Sequence, residues 1–580
     1  MKNNKIKAST LKRVLKAVGK RKALLALTLL FALIYVLSSV IIPVFVGDAV
    51  DLAIGKDNVD FEGIRFILVK IALCAVIAGI AQYLMSLLNN RITYGTVADL
   101  RKEAFNKLQN LPFSYLDSTP SGDTVSRITA DADQLGDGLL TGFTQLFTGV
   151  LTIIITLVVM LVNSPAIAAA VVLMTPLSLV AARLVSKKTY GFFKDQASIR
   201  GEQTAYTNEI IAGQKTVKAF SREKECQEEF DEVNKKLKKA SLKATFWSSL
   251  TNPVTRFVNS VVYAVVALVG ALTVIADPVN FTVGMLTRML SYANQYTKPF
   301  NEISGVFAEL QGALAAAERI FALTDATPEP LDADGVLENA EGRVTLESVN
   351  FSYSPDKKLI EDLNLDILPG MKVAIVGPTG CGKTTLINLL MRFYDTLSGS
   401  VSVDGKDVKT LKRHSLRASY GMVLQETWLN PGTVRENIAM GKPDATDEEI
   451  IAAAKNARAH GFISRLPNGY DTEIGQTGML SEGERQLLCI ARVMLLSPPM
   501  LILDEATSSI DTRTERKIKE CFDKMTAGRT SFMVAHRLST ILDADLILVM
   551  KSGTVIERGT HAELLSQNGF YAKLWNSGKI

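Results

Sequence analysis

The positions of hydrophobic residues divide the 580-residue chain into two unlike parts. Long apolar stretches fill the first part, and each can cross a bilayer, since about 20 apolar residues span its hydrocarbon core as a helix. These stretches lie at about 23–46, 61–88, 139–162, 166–185 and 247–275. From about residue 342 onward, short apolar runs alternate with segments of helical periodicity. That alternation predicts an α/β domain with a partly parallel sheet.

Charge along the first part predicts its orientation in a membrane. Residues 1–22 contain many basic residues and no acidic residue, whereas the first loop between apolar stretches is short and acidic. The segments 91–137 and 186–246 are long, basic and predicted to be helical. By the positive-inside rule, the N-terminus and these long segments face the cytoplasm. The helical spacing of apolar residues within 1–22 also predicts a short interfacial helix.

Breaks in these patterns outline the domain organisation. Turns near Pro112 and Gly213 interrupt the two long inner segments. They are candidate contact points with the α/β part of the chain or, alternatively, the tips of solvated helical hairpins. Residues 321–341 are acidic, include two prolines and lack periodicity, which predicts a linker. The predicted order is therefore a basic interfacial N-terminus at 1–22, an all-α transmembrane domain at 23–320, the linker at 321–341 and an α/β domain at 342–580. This last domain contains a glycine-rich sequence, GPTGCGKT at 377–384, of the kind that binds phosphate, so it is predicted to be a nucleotide-binding domain.

Composition supports a membrane protein and excludes other classes. Hydrophobic residues make up 47% of the chain, which is high for a soluble enzyme. The net charge of +5 is too small to indicate nucleic-acid binding, so no nucleic-acid partner is expected. The five cysteines are scattered, and their spacing predicts neither a disulfide framework nor a zinc site.

A phosphate-binding sequence lies between a strand pattern and a helix pattern. Residues 377–384 read GPTGCGKT and fit G-x-x-x-x-G-K-[ST] at every fixed position. Its glycines allow successive backbone N–H groups to converge on a phosphate. Lys383 adds a charge near the β- and γ-phosphates, and the Thr384 hydroxyl is placed to bind Mg²⁺. A chance glycine-rich turn is the alternative, and the flanking strand and helix patterns argue against it.

A sixth span follows from the parity of the crossings. The ATP-binding part and the N-terminus are both cytoplasmic, so the number of spans is even, and the five clear stretches require one more. Only about 281–307 is available, although it contains Arg288, Asn294 and Gln295. Polar residues in a span normally face protein or a watery cavity, which makes these three candidates for a substrate cavity. The alternative is that Arg288 pairs with an acid or lies near the outer headgroups.

Further candidate residues follow the phosphate-binding sequence in chain order. Four apolar residues and two acids at 500–505 predict a buried strand that presents Asp504 for Mg²⁺ and Glu505 to orient and deprotonate water. His536 follows another apolar run and is placed near the γ-phosphate, while Gln425 can reach Mg²⁺ or that water. Tyr353 can stack on adenine, or it is an ordinary strand tyrosine. The candidate ATP-binding residues are Tyr353, Gly377, Thr379, Gly380, Cys381, Gly382, Lys383, Thr384, Thr385 and Gln425, with Lys383, Glu505 and His536 as catalytic residues and Thr384, Gln425 and Asp504 for Mg²⁺.

These sequences together resemble ATP-binding-cassette (ABC) proteins. The resemblance rests on the Q-loop at Gln425, the signature Leu480-Ser481-Glu482-Gly483-Glu484, the Walker B acids Asp504-Glu505, the D-loop with Asp511 and the H-loop with His536. Six spans ahead of the cassette are similar to a half-transporter of the bacterial ABC exporters, including the multidrug exporters. The resemblance implies a dimer that sandwiches two ATP molecules, each held by one chain's P-loop and the other chain's signature.

The signature departs from the family pattern. It reads LSEGE where LSGGQ is usual, so Glu482 and Glu484 place carboxylates where the family signature touches a γ-phosphate. The chain's own Glu505 and His536 nevertheless match competent sites. This asymmetry resembles the heterodimeric exporters and implies a non-identical partner with an intact LSGGQ. A homodimer in which LSEGE works well enough is the alternative.

The function expected from the sequence is ATP-driven export of hydrophobic or amphipathic compounds by alternating access. ATP and Mg²⁺ are the expected cofactors, and the expected partners are a second half-transporter, the lipid bilayer and a small amphipathic substrate. The expected location is the bacterial inner membrane, with the N-terminus and the ATPase domain in the cytoplasm. A regulatory subunit that binds ATP with little turnover is an alternative, which the intact Glu505 and His536 disfavour.

Overall fold

The computed structural model of the protein describes residues 8–54, 59–354, 358–425, 427–474, 479–504, 510–534 and 541–577. The chain forms two compact units. The first comprises Met1–Asn110 and Pro120–Thr327, and the second comprises Leu111–Thr119 and Pro328–Ile580.

The first unit is built from long helices. A 3₁₀ turn at Gly19–Arg21 follows α1, and a π-helical turn at Gly142–Leu146 separates α6 from α7; α4 belongs to the second unit. The helices are α1 Ala8–Val18, α2 Lys22–Ala53, α3 Phe61–Gln109, α4 Phe113–Ser118, α5 Ser121–Ile128, α6 Ala130–Thr141, α7 Phe147–Asn163, α8 Pro165–Ala212, α9 Gln214–Ala219, α10 Glu223–Ser249, α11 Thr251–Ala276 and α12 Val283–Thr324.

Four helical stretches of the described chain are long and apolar enough to cross a membrane. They are Ser9–Ala53, Phe61–Gln109, Ser121–Asn163 and Glu223–Ala276. The other two predicted spans lie in α8 and α12. Many large apolar side chains on these helices are exposed, including Leu68, Leu73 and Ile80 of α3, each at least half exposed. Such outward-facing apolar surface suits a lipid environment, where it needs no protein cover.

A proline in α2 accounts for the packing of α12 against it. Pro43 has no N–H, so the carbonyl of Ser39 loses its helical partner. Gln295 of α12 donates from Nε2 to that oxygen over 3.3 Å, and the Tyr292 hydroxyl donates to the next carbonyl, Val40 O, over 2.8 Å. Tyr292 is fully buried. These bonds fix which face of α12 points into its own unit.

The second unit is the expected α/β domain. Its strands are β1 Val344–Phe351, β2 Ile360–Ile367, β3 Lys372–Val376, β4 Ser398–Val403, β5 Lys406–Asp407, β6 Tyr420–Val423, β7 Gly432–Thr433, β8 Glu473–Ile474, β9 Met500–Asp504, β10 Thr530–Val534, β11 Leu546–Lys551 and β12 Thr554–Gly559. Its helices, besides α4, are α13 Lys383–Leu390, α14 Arg413–Ala418, α15 Val434–Ala439, α16 Asp447–Asn456, α17 His460–Ile463, α18 Glu482–Leu496, α19 Thr512–Thr526, α20 His561–Ser566 and α21 Phe570–Asn576.

Sheet topology brings the candidate site residues to one edge. The main sheet has the order β12-β11-β3-β10-β9-β6, and β10 pairs in parallel with both β3 and β9. Val534 at the end of β10 is in register with Ile375 on one side and Asp504 on the other. The phosphate-binding loop after β3 and Asp504 at the end of β9 therefore lie at the same edge of the sheet. A separate antiparallel sheet has the order β2-β1-β4-β5.

The short segment 111–119 packs within the second unit. The ring of Phe113 lies 4.6 Å from that of Phe393, centroid to centroid. The Tyr394 hydroxyl donates a hydrogen bond to Asp117. Burial, and then this hydrogen bond, raise the pKa of Tyr394 well above its ordinary value. The turn that the sequence predicts near Pro112 thus contacts the residues that follow α13.

A buried arginine anchors the start of the second unit. The guanidinium of Arg413 is 7% exposed and pairs with Glu329 at 3.0 Å and Asp332 at 2.6 Å. It also donates to the carbonyl of Pro330 over 2.8 Å. These acids belong to the acidic stretch 321–341, so at least part of that stretch packs against the α/β domain.

Replacing Arg413 with Ala is expected to destabilise the protein by about 1.5–3 kcal/mol, because it removes a charge-assisted hydrogen bond to Asp332 and leaves Glu329 with the more distant Arg417, at 3.5 Å. The measurement is the unfolding midpoint of the full-length protein. Arg343→Ala is the matched control. Its pair with Asp366 is half exposed on both sides, so its loss should shift the midpoint much less. Equal shifts for the two variants would contradict a structural role of the buried cluster.

Candidate functional site

The loop at 377–384 has the backbone that a phosphate cradle requires. Gly377, Gly380 and Gly382 have φ angles of 153°, 79° and 103°, which side chains other than glycine rarely adopt. A Cβ on Gly377 would lie 2.2 Å from the carbonyl oxygen of Met550. The helix α13 then begins at Lys383. Its N-terminal N–H groups and its dipole favour an anion at this place.

Lys383 holds the loop in its present form. Its Nζ donates to the carbonyls of Gly377 over 2.6 Å and Pro378 over 3.3 Å, and the residue is 8% exposed. The ammonium group therefore already lies inside the curve of the loop, where phosphate oxygens can replace the carbonyls as acceptors.

A cavity of about 460 Å³ surrounds the loop and collects most of the predicted nucleotide residues. Cys381 is buried, and neither it nor Gly377 lines the cavity. Ser354, Leu359 and Val534 line it and were not predicted, because no local pattern in the sequence marks them. The predicted residues in the lining are Tyr353, Thr379, Gly380, Gly382, Lys383, Thr384, Thr385, Gln425 and Asp504.

Tyr353 lies just after β1 with its ring half exposed at the cavity. Its hydroxyl donates to Thr385 Oγ1 over 3.2 Å and accepts from Asn388 Nδ2 over 3.2 Å. Its ring also meets that of Tyr394 edge-on, with centroids 5.0 Å apart. These contacts orient the ring, which remains half exposed at the cavity.

The strand β9 ends at the first of the two predicted acidic residues. Asp504 ends the strand and lines the cavity. Glu505, Ser508, Ser509 and His536 lie outside the described residues. By chain position, Glu505 directly follows Asp504 and His536 lies two residues beyond Val534, the end of β10.

The signature sequence forms the start of α18, and two of its residues, Ser481 and Glu484, are hydrogen-bonded to each other. Ser481 is the N-cap, and Glu484 accepts from the Ser481 N–H at 3.0 Å and from its hydroxyl at 2.9 Å. Gly483 is buried, and a Cβ there would lie 2.5 Å from Thr514 Cγ2. Leu480 is also buried, whereas Glu482 is exposed. Sequence reasoning anticipated charge at this site but missed this capping box, although the spacing S-x-x-E signals it.

Asp511 has a structural contact of its own. It is the N-cap of α19 and accepts from the backbone N–H groups of Arg513 and Thr514, each over 3.0 Å. Hydrogen bonding, first from the Thr514 side chain, holds the pKa of Asp511 below its usual value. The residue is therefore ionised and fixed at neutral pH.

The three candidate cavity residues of α12 do not share one environment. Arg288 forms an ion pair with Asp48 of α2, the alternative that the sequence left open. Gln295 bonds to α2 as described above. Asn294 is exposed and faces away from both. The structure thus separates Asn294 from the other two, and it places the unpredicted Lys298 on the exposed face with it.

A helical membrane unit joined to an α/β unit with a phosphate-binding loop defines an ATP-driven membrane transporter. Comparison with known protein families gives two matches. Residues 25–300 match the family described as "ABC transporter transmembrane region", and residues 360–508 match the family described as "ABC transporter". The chain belongs to the ABC transporters, in the group of exporters that fuse both domains in one chain. The predicted family and fold class are confirmed, as is ATPase activity coupled to transport.

Individual relatives cover nearly the whole chain. A "Fatty acid ABC transporter ATP-binding/permease protein" of Mycobacterium bovis is 40% identical over 90% of this chain and 84% of its own length. An "Uncharacterized ABC transporter ATP-binding protein YfiC" of Bacillus subtilis is 37% identical over 98% and 94%. A solved bacterial Atm1-family ABC exporter with ATP bound has a TM-score of 0.77 and 28% identity, covering 98% of this chain and 99% of that one.

Proposed function

We propose that this chain exports hydrophobic or amphipathic compounds as one half of a heterodimer with one competent and one degenerate ATP site. The observation that carries the asymmetry is the capping box of α18, in which Glu484 binds both the N–H and the hydroxyl of Ser481. In the family, the signature serine and nearby N–H groups contact the γ-phosphate of ATP held by the other chain. Here those donors already have a carboxylate as their partner.

Electrostatics disfavour ATP at this signature. An approaching γ-phosphate has to displace the Glu484 carboxylate from Ser481 and then remain beside it and beside Glu482. Two like charges about 4 Å apart near a protein surface repel by about 4 kcal/mol. A regained hydrogen bond contributes about 1.5–3 kcal/mol even when charge-assisted. The repulsion exceeds the gain, which supports a weak site at this chain's signature.

The P-loop side of the chain has the groups that a competent site needs. Lys383 binds the β- and γ-phosphates, and the half-exposed ring of Tyr353 stacks on adenine. The oxygens of Thr384, Gln425 and Asp504 line one cavity and form the hard donor set that Mg²⁺ prefers. Bound there, Mg²⁺ neutralises phosphate charge. Glu505 orients the attacking water and accepts its proton, while His536 bonds the γ-phosphate. The partner's signature completes this site.

The substrate class follows from the membrane unit and its relatives. The relative from Mycobacterium bovis is named as a fatty acid transporter, and amphipathic compounds are what a helical unit embedded in lipid meets. We place the protein in the bacterial inner membrane, with its N-terminus and ATPase unit in the cytoplasm. Glu505 and His536 favour turnover over a purely regulatory role.

Restoring the usual family signature, LSGGQ, tests the proposal that the dimer has one competent and one degenerate ATP site. In the chain purified alone, Glu482→Gly with Glu484→Gln should raise ATPase activity by about tenfold, because about 1.4 kcal/mol of relieved repulsion corresponds to that factor. Glu563→Gln is the matched control, since Glu563 closes a similar capping box with Thr560 away from the signature. Vigorous ATPase activity of the unaltered chain alone, unchanged by repair, would overturn the heterodimer in favour of a homodimer.

A further inference from the structure

The span in α12 has two opposite faces. Met289, Tyr292, Ala293 and Tyr296 are each at most 5% exposed and pack into the first unit. At about 3.6 residues per turn, positions 287, 291, 294 and 298 lie on the opposite side. They carry Thr287, Ser291, Asn294 and Lys298, which are all polar.

The two members of this polar face nearer the N-terminus of α12, Thr287 and Ser291, form hydrogen bonds within their own helix. The Thr287 hydroxyl donates to Val283 O over 3.0 Å, and the Ser291 hydroxyl donates to Thr287 O over 3.1 Å. Asn294 and Lys298 are exposed, one helical turn apart. Within the described part of the chain, no carboxylate forms an ion pair with Lys298. Among the side chains that the structure describes, none supplies a counter-charge to this ammonium group, so an anionic ligand can supply it.

Two other basic residues of the membrane spans, Arg288 and Lys70, have partners in the described part of the chain. Arg288 is neutralised by Asp48. Lys70 of α3 lies over the rings of Phe66 and Phe45, with Nζ at 4.4 and 5.6 Å from their centroids. Lys298 has neither kind of contact among the described residues. Its charge is thus uncompensated by the part of its own unit that is described.

Lipid cannot face this charge at low cost. A lysine at the centre of a span costs about 2.5–3.5 kcal/mol. Lys298 lies about 14 Å from the predicted inner end of the span at 1.5 Å per residue, further than its side chain reaches. ABC exporters work as dimers, so a second subunit can cover this face and enclose water rather than lipid.

We propose that Lys298 and Asn294 bind the anionic head group, a carboxylate or a phosphate, of an amphipathic substrate. The ammonium supplies the charge and the amide N–H₂ supplies a second donor, while the acyl chain contacts apolar surface around the polar face. This inference rests on the proposed export function and narrows its substrate class to anionic amphiphiles.

The test compares amphiphiles that differ in head group. The full-length transporter, with its partner subunit where it has one, is reconstituted in liposomes, and ATPase stimulation is measured with oleate, oleoyl lysophosphatidate and the neutral oleyl alcohol. Lys298→Met should raise the half-maximal concentration of the anionic stimulators about tenfold or more and leave that of oleyl alcohol unchanged. Lys298→Arg should retain the response. A response to only one anion assigns the head group to that chemistry.

Two further variants separate binding from structural roles. Lys70→Met also removes a membrane cation, but away from the polar face, and should leave the oleate response intact. Glu302 follows one turn after Lys298 in the sequence. If Lys298 served only to neutralise it, Lys298→Met with Glu302→Gln would regain the wild-type oleate response; the proposal requires that it does not.

The outcomes distinguish failure of the head-group site from failure of the proposed export function. Equal oleate responses in wild type and Lys298→Met, with stimulation and transport otherwise intact, overturn the head-group site alone. Failure of every amphiphile to stimulate or be transported by the wild type overturns the proposed export as well.

Discussion

Replacing Glu505 with Gln should reduce steady-state ATP hydrolysis by a factor of about 100 or more while ATP still binds. General-base catalysis contributes about 10²–10⁴ to a rate, and the amide cannot accept the proton of the attacking water. The substitution keeps the size of the side chain and removes a negative charge near the phosphates. The closed dimer should therefore accumulate with ATP trapped inside.

The position of Glu505 supports this expectation. Asp504 ends β9 at the edge of the sheet from which the phosphate-binding loop also departs. Asp504 lines the same cavity as that loop, and Glu505 is the next residue in the sequence.

Two readouts test the Glu505→Gln variant: phosphate release at saturating ATP, and retention of labelled nucleotide after gel filtration. Glu520→Gln is a suitable control, because Glu520 lies on α19 in a half-exposed pair with Arg458. Turnover near the wild-type rate would refute the catalytic assignment. Lost binding together with lost turnover would point to a structural role instead.

Replacing Lys383 with Met should weaken ATP binding about tenfold to a hundredfold and remove turnover. Hydrogen bonds to charged groups contribute about 1.5–3 kcal/mol, and this ammonium is the one that the loop itself encloses. The variant also leaves the carbonyls of Gly377 and Pro378 without their donor. The loop should consequently lose part of its curvature before any nucleotide arrives.

A fluorescent ATP analogue measures the affinity of the Lys383→Met variant directly. Lys372→Met, on the strand that leads into the loop, is the control for a lost lysine in the same region. Unchanged affinity in Lys383→Met would show that the backbone N–H groups alone bind the phosphates. In that case Lys383 would act only on the rate.

Both proposals concern charged side chains that form no ion pair within the described part of the chain. Glu482 and Glu484 put negative charge where a phosphate should bind, and Lys298 puts positive charge on a membrane helix. The first weakens one interaction with ATP, and the second favours one class of cargo. The two can be tested separately, because the signature belongs to the second unit and Lys298 to the first.

Local sequence patterns were sufficient for the elements and for the nucleotide loop. Long apolar runs lie in α2, α3, α7, α8 and α11, because a helix in lipid satisfies its backbone hydrogen bonds within itself. The loop at 377–384 was equally readable, because every group it needs lies within eight consecutive residues. The parity of the crossings then indicated α12, the least apolar of the spans.

The tertiary structure decided which charges are already paired. The sequence grouped Arg288, Asn294 and Gln295 as polar residues of one span. In the structure, Arg288 pairs with Asp48 and Gln295 bonds to Ser39, each more than 200 residues away in the chain, whereas Asn294 is exposed. Arg413 likewise finds its acids in the stretch before the domain. Sequence periodicity reports the face on which a residue lies. Whether an ion-pair or hydrogen-bond partner lies on that face depends on how distant segments pack, which no local sequence pattern predicts.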